Sequence, residues 1–274
     1  MKKVLDKIAI TGGKGLLGSQ FKKKYGKVYK IISYPHRLEN FEKVNSWLKN
    51  NNFKYFIHFA AITRNKTKDK KTVDLVNVKS SINLIETINK LKKKNFSFFL
   101  FISSAHVYGY SKDLIKENKI RKPFNYYGVS KKNVEDYIID NRLKNNFKIG
   151  IARIFNYTGP KQNKGYFIPD ISHKIKKHIK LTNVNAYRDF IHIDDVLDSI
   201  MLVLRKKIED PINISSGMKI NLLKVSKLIN SIFYKKEIFT DKKRGGDLFG
   251  CNKKLKLLGK KKFKNINSII KSFV

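Results

Sequence analysis

The chain has 274 residues, 41% of them apolar, enough to bury a large core as one large or two small domains. No apolar run exceeds the length of Phe98 to Ile102, Asp6 and Lys7 interrupt the N-terminal region, and Cys251 is alone, so the sequence offers no transmembrane helix, signal peptide, disulfide framework or zinc cluster. A net charge of +39 would suit nucleic acid or an anionic membrane, but Lys outnumbers Arg 52 to 8 and is scattered among Asn, Ile, Phe and Tyr. That scatter is the mark of AT-rich codon use, so no specific nucleic-acid partner and no membrane partner is expected. The expected setting is a reducing cytoplasm with no structural metal, and the positive field would still draw in anionic ligands such as nucleotides.

In chain order, an apolar strand from Ile8 to Thr11 enters Gly12-Gly13-Lys14-Gly15-Leu16-Leu17-Gly18, and an amphipathic helix then runs toward Tyr25. A strand, a Gly-rich turn and a helix in this order let backbone N–H groups meet a pyrophosphate at a helix N-terminus; without those flanks the turn would be a plain tight turn. Further strands are predicted over Val28–Ser33, Tyr55–Phe59, Phe96–Ile102 and Ile149–Arg153, with helical patterns between them, including Asn77 to Leu91. Such alternation predicts an α/β fold with a Rossmann-like, doubly wound parallel sheet. The second strand leads into Ser33-Tyr34-Pro35-His36-Arg37. A cation where an acid would hold an NAD ribose suits a 2′-phosphate, so NADP is favoured with NAD possible, unless Arg37 is only a solvated charge.

Tyr-x-x-x-Lys occurs three times, at Tyr108/Lys112, Tyr127/Lys131 and Tyr157/Lys161, so spacing alone identifies nothing. Only Tyr127 heads a helical stretch, Val129 to Leu143, where an i, i+4 pair shares a face. An ammonium about 4 Å away at an effective dielectric near 20 is worth about 4 kcal/mol, enough to bring a phenol from ~10 toward ~7. The fourth strand leads into Ser103-Ser104-Ala105-His106-Val107-Tyr108-Gly109, placing small hydroxyls at the carboxyl edge of the sheet. Beyond Asn156 the pattern turns irregular and Lys-rich, apart from a helix over Asp194–Leu204, a strand over Ile212–Ser215 and a helix over Leu222–Phe233. The expected organisation is a dinucleotide-binding domain over 1–155 plus 190–215, and a smaller discontinuous substrate lobe over 156–189 and 216–274.

With the Gly12 turn, His58-Phe59-Ala60-Ala61, Asn77, Ser103-Ser104, Tyr127/Lys131, Arg153-Ile154-Phe155-Asn156-Tyr157-Thr158-Gly159-Pro160 and Arg188-Asp189-Phe190-Ile191-His192-Ile193-Asp194-Asp195-Val196, the sequence resembles the extended short-chain dehydrogenase/reductases. Within them it is similar to the NAD-dependent epimerase/dehydratase family, which acts on nucleotide-activated sugars, and the resemblance covers nearly the whole chain. It implies that Tyr127 exchanges a proton with the sugar, that Lys131 holds the nicotinamide ribose and lowers the Tyr127 pKa, and that Ser104 binds the same oxygen. It implies cofactor contacts at Gly12, Gly15, Leu16, Leu17, Gly18, Ala60, Ala61, Asn77 and Phe155. Substrate contacts are implied at Asn156, Arg188, Arg244 and Asp247, although Arg188-Asp189 would otherwise be an ordinary surface ion pair.

The family's 4,6-dehydratases carry an Asp-Glu pair after the strand hydroxyl, where this chain has Ala105 and His106, so elimination lacks its acid and base. His106 is open between a base, a substrate hydrogen-bond donor and a packed side chain. The residues around Asn156 and Phe167-Ile168-Pro169-Asp170 look most like reductases of nucleotide 4-keto-6-deoxysugars, such as the GDP-4-keto-6-deoxymannose reductases. The resemblance thus implies hydride delivery to C4 of a keto sugar destined for a surface polysaccharide. A nucleotide-sugar 4-epimerase with tightly bound NAD would use the same residues, and a non-catalytic dinucleotide-sensing or RNA-binding scaffold is the third reading. A homodimer through the helices at Asn77–Leu91 and Val129–Leu143 is expected by resemblance alone.

Overall fold

In a computed structural model, which describes residues 6–63, 69–162, 165–241 and 243–273, six parallel strands form the central sheet. They are β1 (Lys7–Thr11), β2 (Lys30–Ser33), β3 (Tyr55–His58), β4 (Phe98–Ser104), β5 (Lys148–Ile154) and β9 (Ile212–Ile214), in spatial order β2-β1-β3-β4-β5-β9. Every residue of β4 is buried, as a strand covered on both faces requires, which explains why it carries the apolar run of the chain. Two short pairs lie outside this sheet: β6 (Tyr157–Thr158) with β8 (Ile191–His192), and β7 (Tyr187–Arg188) with β10 (Ile220–Asn221).

Because successive strand residues face opposite sides, the sheet supports two separate cores. Ile8, Ile10 and Ile57 pack with Phe21 of α1 (Leu16–Tyr25) and with Val196, Ile200 and Leu204 of α7 (Ile193–Lys206). Ala9, Phe56 and Phe99 face α2 (Phe41–Asn50), α4 (Ser80–Leu91) and α5 (Tyr126–Asp140) through Leu48, Ile85 and Val134. The sheet is thus doubly wound, as its alternating pattern predicts. A short α3 (Lys70–Asp74) runs through a π-helical turn, Leu75–Lys79, into α4.

A third core joins α6 (Phe167–Lys176) to α8 (Leu222–Phe233) and α10 (Ile266–Lys271) through Ile171, Ile229 and Ile270. The C-terminal segment divides between cores, since Leu255 of α9 (Lys253–Leu257) packs on the sheet with Ile214.

Boundaries shift where capping overrides pattern. Strand β2 starts at Lys30 rather than Val28, because the N–H groups of Val28 and Tyr29 both donate to the Tyr25 carbonyl and wind that segment into a turn. Helix α5 starts at Tyr126 because Asn125 caps it, its Oδ1 accepting from Gly128 N–H at 2.8 Å. It ends at Asp140, and Leu143 lies in a following 3-10 turn, 99% exposed. Helix α6 eluded the sequence reading, since only Phe167–Asp170 stood out in it. Among the described residues no helix is long and apolar enough to cross a membrane, and no group of three His, Cys, Asp or Glu could hold a metal.

Candidate active site

A cleft of about 720 Å³ opens at the carboxyl ends of β1, β4 and β5 and extends beneath the third core. One end is the Gly-rich turn. Gly12 has φ +68°, and a Cβ there would lie 2.7 Å from Ala60 N; a Cβ on Gly18 would lie 2.4 Å from the Gly12 carbonyl oxygen. Only glycine permits this approach of turn, helix and strand. Gly15 caps α1 with no side-chain acceptor, and the first turn carries no acid. Gly15, Leu16, Leu17 and Gly18 line the cleft, so the helix presents backbone N–H groups and its positive dipole end to it. A dinucleotide pyrophosphate fits this cradle.

At the centre of the cleft lie Ser104, Tyr127 and Lys131. Strand β4 runs on through Ser103 and Ser104, so Ser104 sits at the carboxyl end of the sheet and lines the cleft with Tyr127. Burial pushes the Tyr127 pKa up, and Tyr166 adds to this while the Ser104 hydroxyl opposes it. The sequence-based expectation of a lowered phenol pKa is thus corrected. Lys131 does not offset the burial, because its Nζ donates to the Ile102 carbonyl at 2.8 Å and stands 4.6 Å over the Phe101 ring. Burial pulls Lys131 down to about 7, with Glu135 one turn along the helix opposing, so the ammonium is itself only partly charged near neutrality.

Behind these groups, Glu135 is fully buried and gathers three partners. Arg153 donates to it from Nε and Nη2, the latter at 2.7 Å, Ser103 Oγ at 2.5 Å and Arg121 Nη1 at 3.1 Å. Arg153 also donates to Tyr108 Oη at 2.7 Å, which in turn donates to Asn213. The network ties β4, β5, β9 and α5 together beneath this part of the cleft.

Asn77, expected at the cofactor, lies in the π-helical turn and is buried. Its side chain brackets Ile62, accepting from its N–H and donating to its carbonyl, and also donates to Ser130 Oγ at 3.1 Å. It therefore joins the segment after β3 to α5. Ala61 lines the cleft, whereas Ala60 packs on Gly12 and donates its N–H to Thr11 Oγ1. Phe155 and Asn156 line it after β5.

His58 supports the same region without facing the cleft. Ser81 Oγ donates to the Asn77 carbonyl, so it accepts from His58 Nε2–H at 2.8 Å, and Thr11 Oγ1 lies 2.6 Å from Nδ1. Burial holds this neutral ring at a pKa of about 3. An unfolded ring binds its proton below ~6.5 and the folded one does not, so stability is full above that value and falls as pH drops toward 3. Urea unfolding at pH 7 and pH 5 should differ by roughly 2 kcal/mol from this one residue, and His58→Gln should flatten the difference. An unchanged pH dependence in the variant would remove this account.

At the far end of the cleft, Arg188 Nη1 donates to the carbonyls of Tyr187 and Gly246, and its guanidinium lies 5.4 Å over the Tyr110 ring. Asp189 is fully buried and accepts from Ser216 and Gly217, so it is no surface partner. Arg244 pairs with Asp247 at 2.8 Å, and Asp247 also accepts from Tyr187 N–H, while Gly245 and Gly246 between them form the cleft wall. Tyr166, Lys174, Thr182 and Asn183 also line this end. No motif marks them, and they converge only because α6 and the segment after it fold over the sheet. Arg37 stands apart from this cleft, in an adjoining bay with Lys14, His36 and Lys43. Its guanidinium is 90% exposed and lies 3.6 Å from Glu39.

A model of the NAD dependent epimerase/dehydratase family matches residues 8–215. The chain is 30% identical over 237 residues to a GDP-6-deoxy-D-talose 4-dehydrogenase of Aggregatibacter actinomycetemcomitans, covering 82% of this chain and 80% of that one. It is 29% identical over 167 residues to a GDP-6-deoxy-D-mannose reductase of Pseudomonas aeruginosa, covering 55% of each. The fold matches the structure of RMD from Pseudomonas aeruginosa complexed with NADPH at TM-score 0.85 and 22% identity, over 97% of both chains. It matches a Thermus thermophilus UDP-glucose 4-epimerase complexed with NAD at TM-score 0.84 and 19% identity, over 97% of this chain and 98% of that one. With three-quarters of its length inside the family model and the Gly-rich cradle, Ser104, Tyr127 and Lys131 opening on one cleft, the chain is an enzyme of the NAD-dependent epimerase/dehydratase family.

Proposed function

We propose that the protein reduces the 4-keto group of a nucleotide-linked 6-deoxy sugar, with Tyr127 as proton donor. The observation that carries this reading is the junction of Ser104, Tyr127 and Lys131 midway along a cleft that starts at the uncapped N-terminus of α1 and ends at Arg188. A nicotinamide dinucleotide, when bound, would supply the hydride. The N–H groups of α1 would hold its pyrophosphate, and Lys131 would orient its ribose. Ser104 positions the keto oxygen, and Tyr127 passes its phenolic proton to that oxygen as charge develops there. A phenol whose pKa is raised by burial is in the protonated form that reduction consumes. Arg188, which lines the cleft beside Tyr110 and Gly246, would meet a nucleotide diphosphate.

Relatives named for GDP-linked 6-deoxy sugars, one of them for dehydrogenation at position 4, support both the sugar and the carbon. Ala105 and His106 supply no acid–base pair for a dehydratase. Arg37 and Lys14 in one bay favour a 2′-phosphate and so NADPH, since the exposed pairing of Arg37 with Glu39 is worth little. A 4-epimerase would use the same three residues but regenerate its cofactor in place.

Gently purified protein should retain little dinucleotide, and should oxidise NADPH only when a GDP-4-keto-6-deoxyhexose is added. Arg37→Ala should weaken NADPH binding about tenfold, the loss of one charge-assisted contact, and leave NADH binding unchanged. Stoichiometric bound NAD with sugar interconversion and no net redox change would overturn the reductase and establish the epimerase.

A further inference from the structure

His106 lines the cleft between Ser104 and Tyr127, half-buried, and its chemistry is set by the residue that caps α5. Asn125 Oδ1 accepts from Gly128 N–H at 2.8 Å, and a backbone N–H can only donate, so this end of the amide is its oxygen. The other end, Nδ2, is a donor only, and it lies 3.0 Å from His106 Nδ1. Nδ1 therefore accepts and carries no proton, and the neutral ring holds its proton on Nε2. The geometry has little slack. A Cβ on Gly128 would lie 2.5 Å from the His106 carbonyl oxygen, so the start of α5 presses on the turn that carries His106. Phe124 at 4.8 Å and the edge of Tyr127 at 5.6 Å fix the ring plane, and His106 N–H donates to Ser104 Oγ at 3.2 Å.

We propose that Asn125 is a positioning residue for the reaction, locking His106 in the Nε2–H tautomer so that it meets the sugar as a hydrogen-bond donor and not as a base. A base at Nδ1 would have to displace the Asn125 amide, and Nε2 already bears a proton. The acceptor would be a hydroxyl or carbonyl oxygen of the hexose beside the carbon that Tyr127 serves. The identity of that acceptor rests on the function proposed above; the tautomer lock does not. The helix cap thus does two things at once, satisfying α5 with its oxygen and setting the histidine with its nitrogen.

The test is Asn125→Asp. Asp caps a helix as well as Asn, so α5 should survive, but an oxygen now faces Nδ1 and draws the proton there. Long-range ¹H–¹⁵N correlation spectra should place the His106 proton on Nε2 in the native protein and on Nδ1 in the variant, with thermal midpoint and NADPH affinity unchanged. KM for the nucleotide sugar should rise about fivefold to tenfold, the loss of one hydrogen bond. His106→Gln, whose amide nitrogen reaches the Nε2 position, should keep more activity than His106→Asn, whose amide sits near Nδ1. A native spectrum with the proton on Nδ1 would overturn the lock, and equal KM values for native protein, Asn125→Asp and His106→Asn would overturn the donor role. If the native protein oxidises no NADPH with any nucleotide keto sugar, the functional reading falls instead, and the lock is judged on the spectra alone.

Discussion

Tyr127→Phe should lower turnover by about 10²–10⁴-fold, the usual contribution of a positioned proton donor, while dinucleotide binding stays within about threefold. Phe keeps the ring that packs at a steep angle against His106 and removes only the hydroxyl. The measurement is NADPH oxidation with saturating keto sugar, paired with a fluorescence titration of NADPH. A variant that keeps more than about a tenth of native turnover would place the proton donor elsewhere.

Glu135→Ala should be the most destabilising single substitution in the region, costing about 3–5 kcal/mol, because it leaves the buried Arg153 guanidinium without its carboxylate. Against a typical net stability of about 5–15 kcal/mol this is a large fraction, and the melting midpoint should fall by about 10 °C. Coupling Glu135→Ala to Arg153→Met should restore part of the loss, since no buried charge is then left unpaired. Calorimetry of the native protein, the single variant and the double variant decides this. A single variant within about 1 kcal/mol of the native protein would mean that the Glu117 carbonyl and Tyr108 hold Arg153 without Glu135.

The central sheet and its glycine-rich turn were legible because their signals are local. A glycine that must adopt φ +68°, an alternation of apolar strands with helices, and a Tyr and Lys one turn apart are each properties of neighbouring residues. The family resemblance then extended the reading to Asn77, Asn156 and Arg188, although Asn77 does its work by clamping Ile62 and Ser130. The segments around the third core were much less legible. Helix α6 follows a segment of glycine, lysine and asparagine, and the residues that it and its flanking segments bring to the cleft are scattered from Tyr166 to Asn183.

By itself, then, the sequence determined the sheet and its glycine-rich turn and singled out Ser104, Tyr127 and Lys131, since short-range periodicity and turn chemistry dictate these patterns. Only the tertiary structure decided their electrostatics. The i, i+4 spacing of Tyr127 and Lys131 predicts a depressed phenol, yet burial raises it and brings the lysine to about 7, because desolvation depends on what packs around a charge. It also decided the state of His106, which follows from which end of a helix cap faces it, a relation between residues 19 positions apart that no local pattern records.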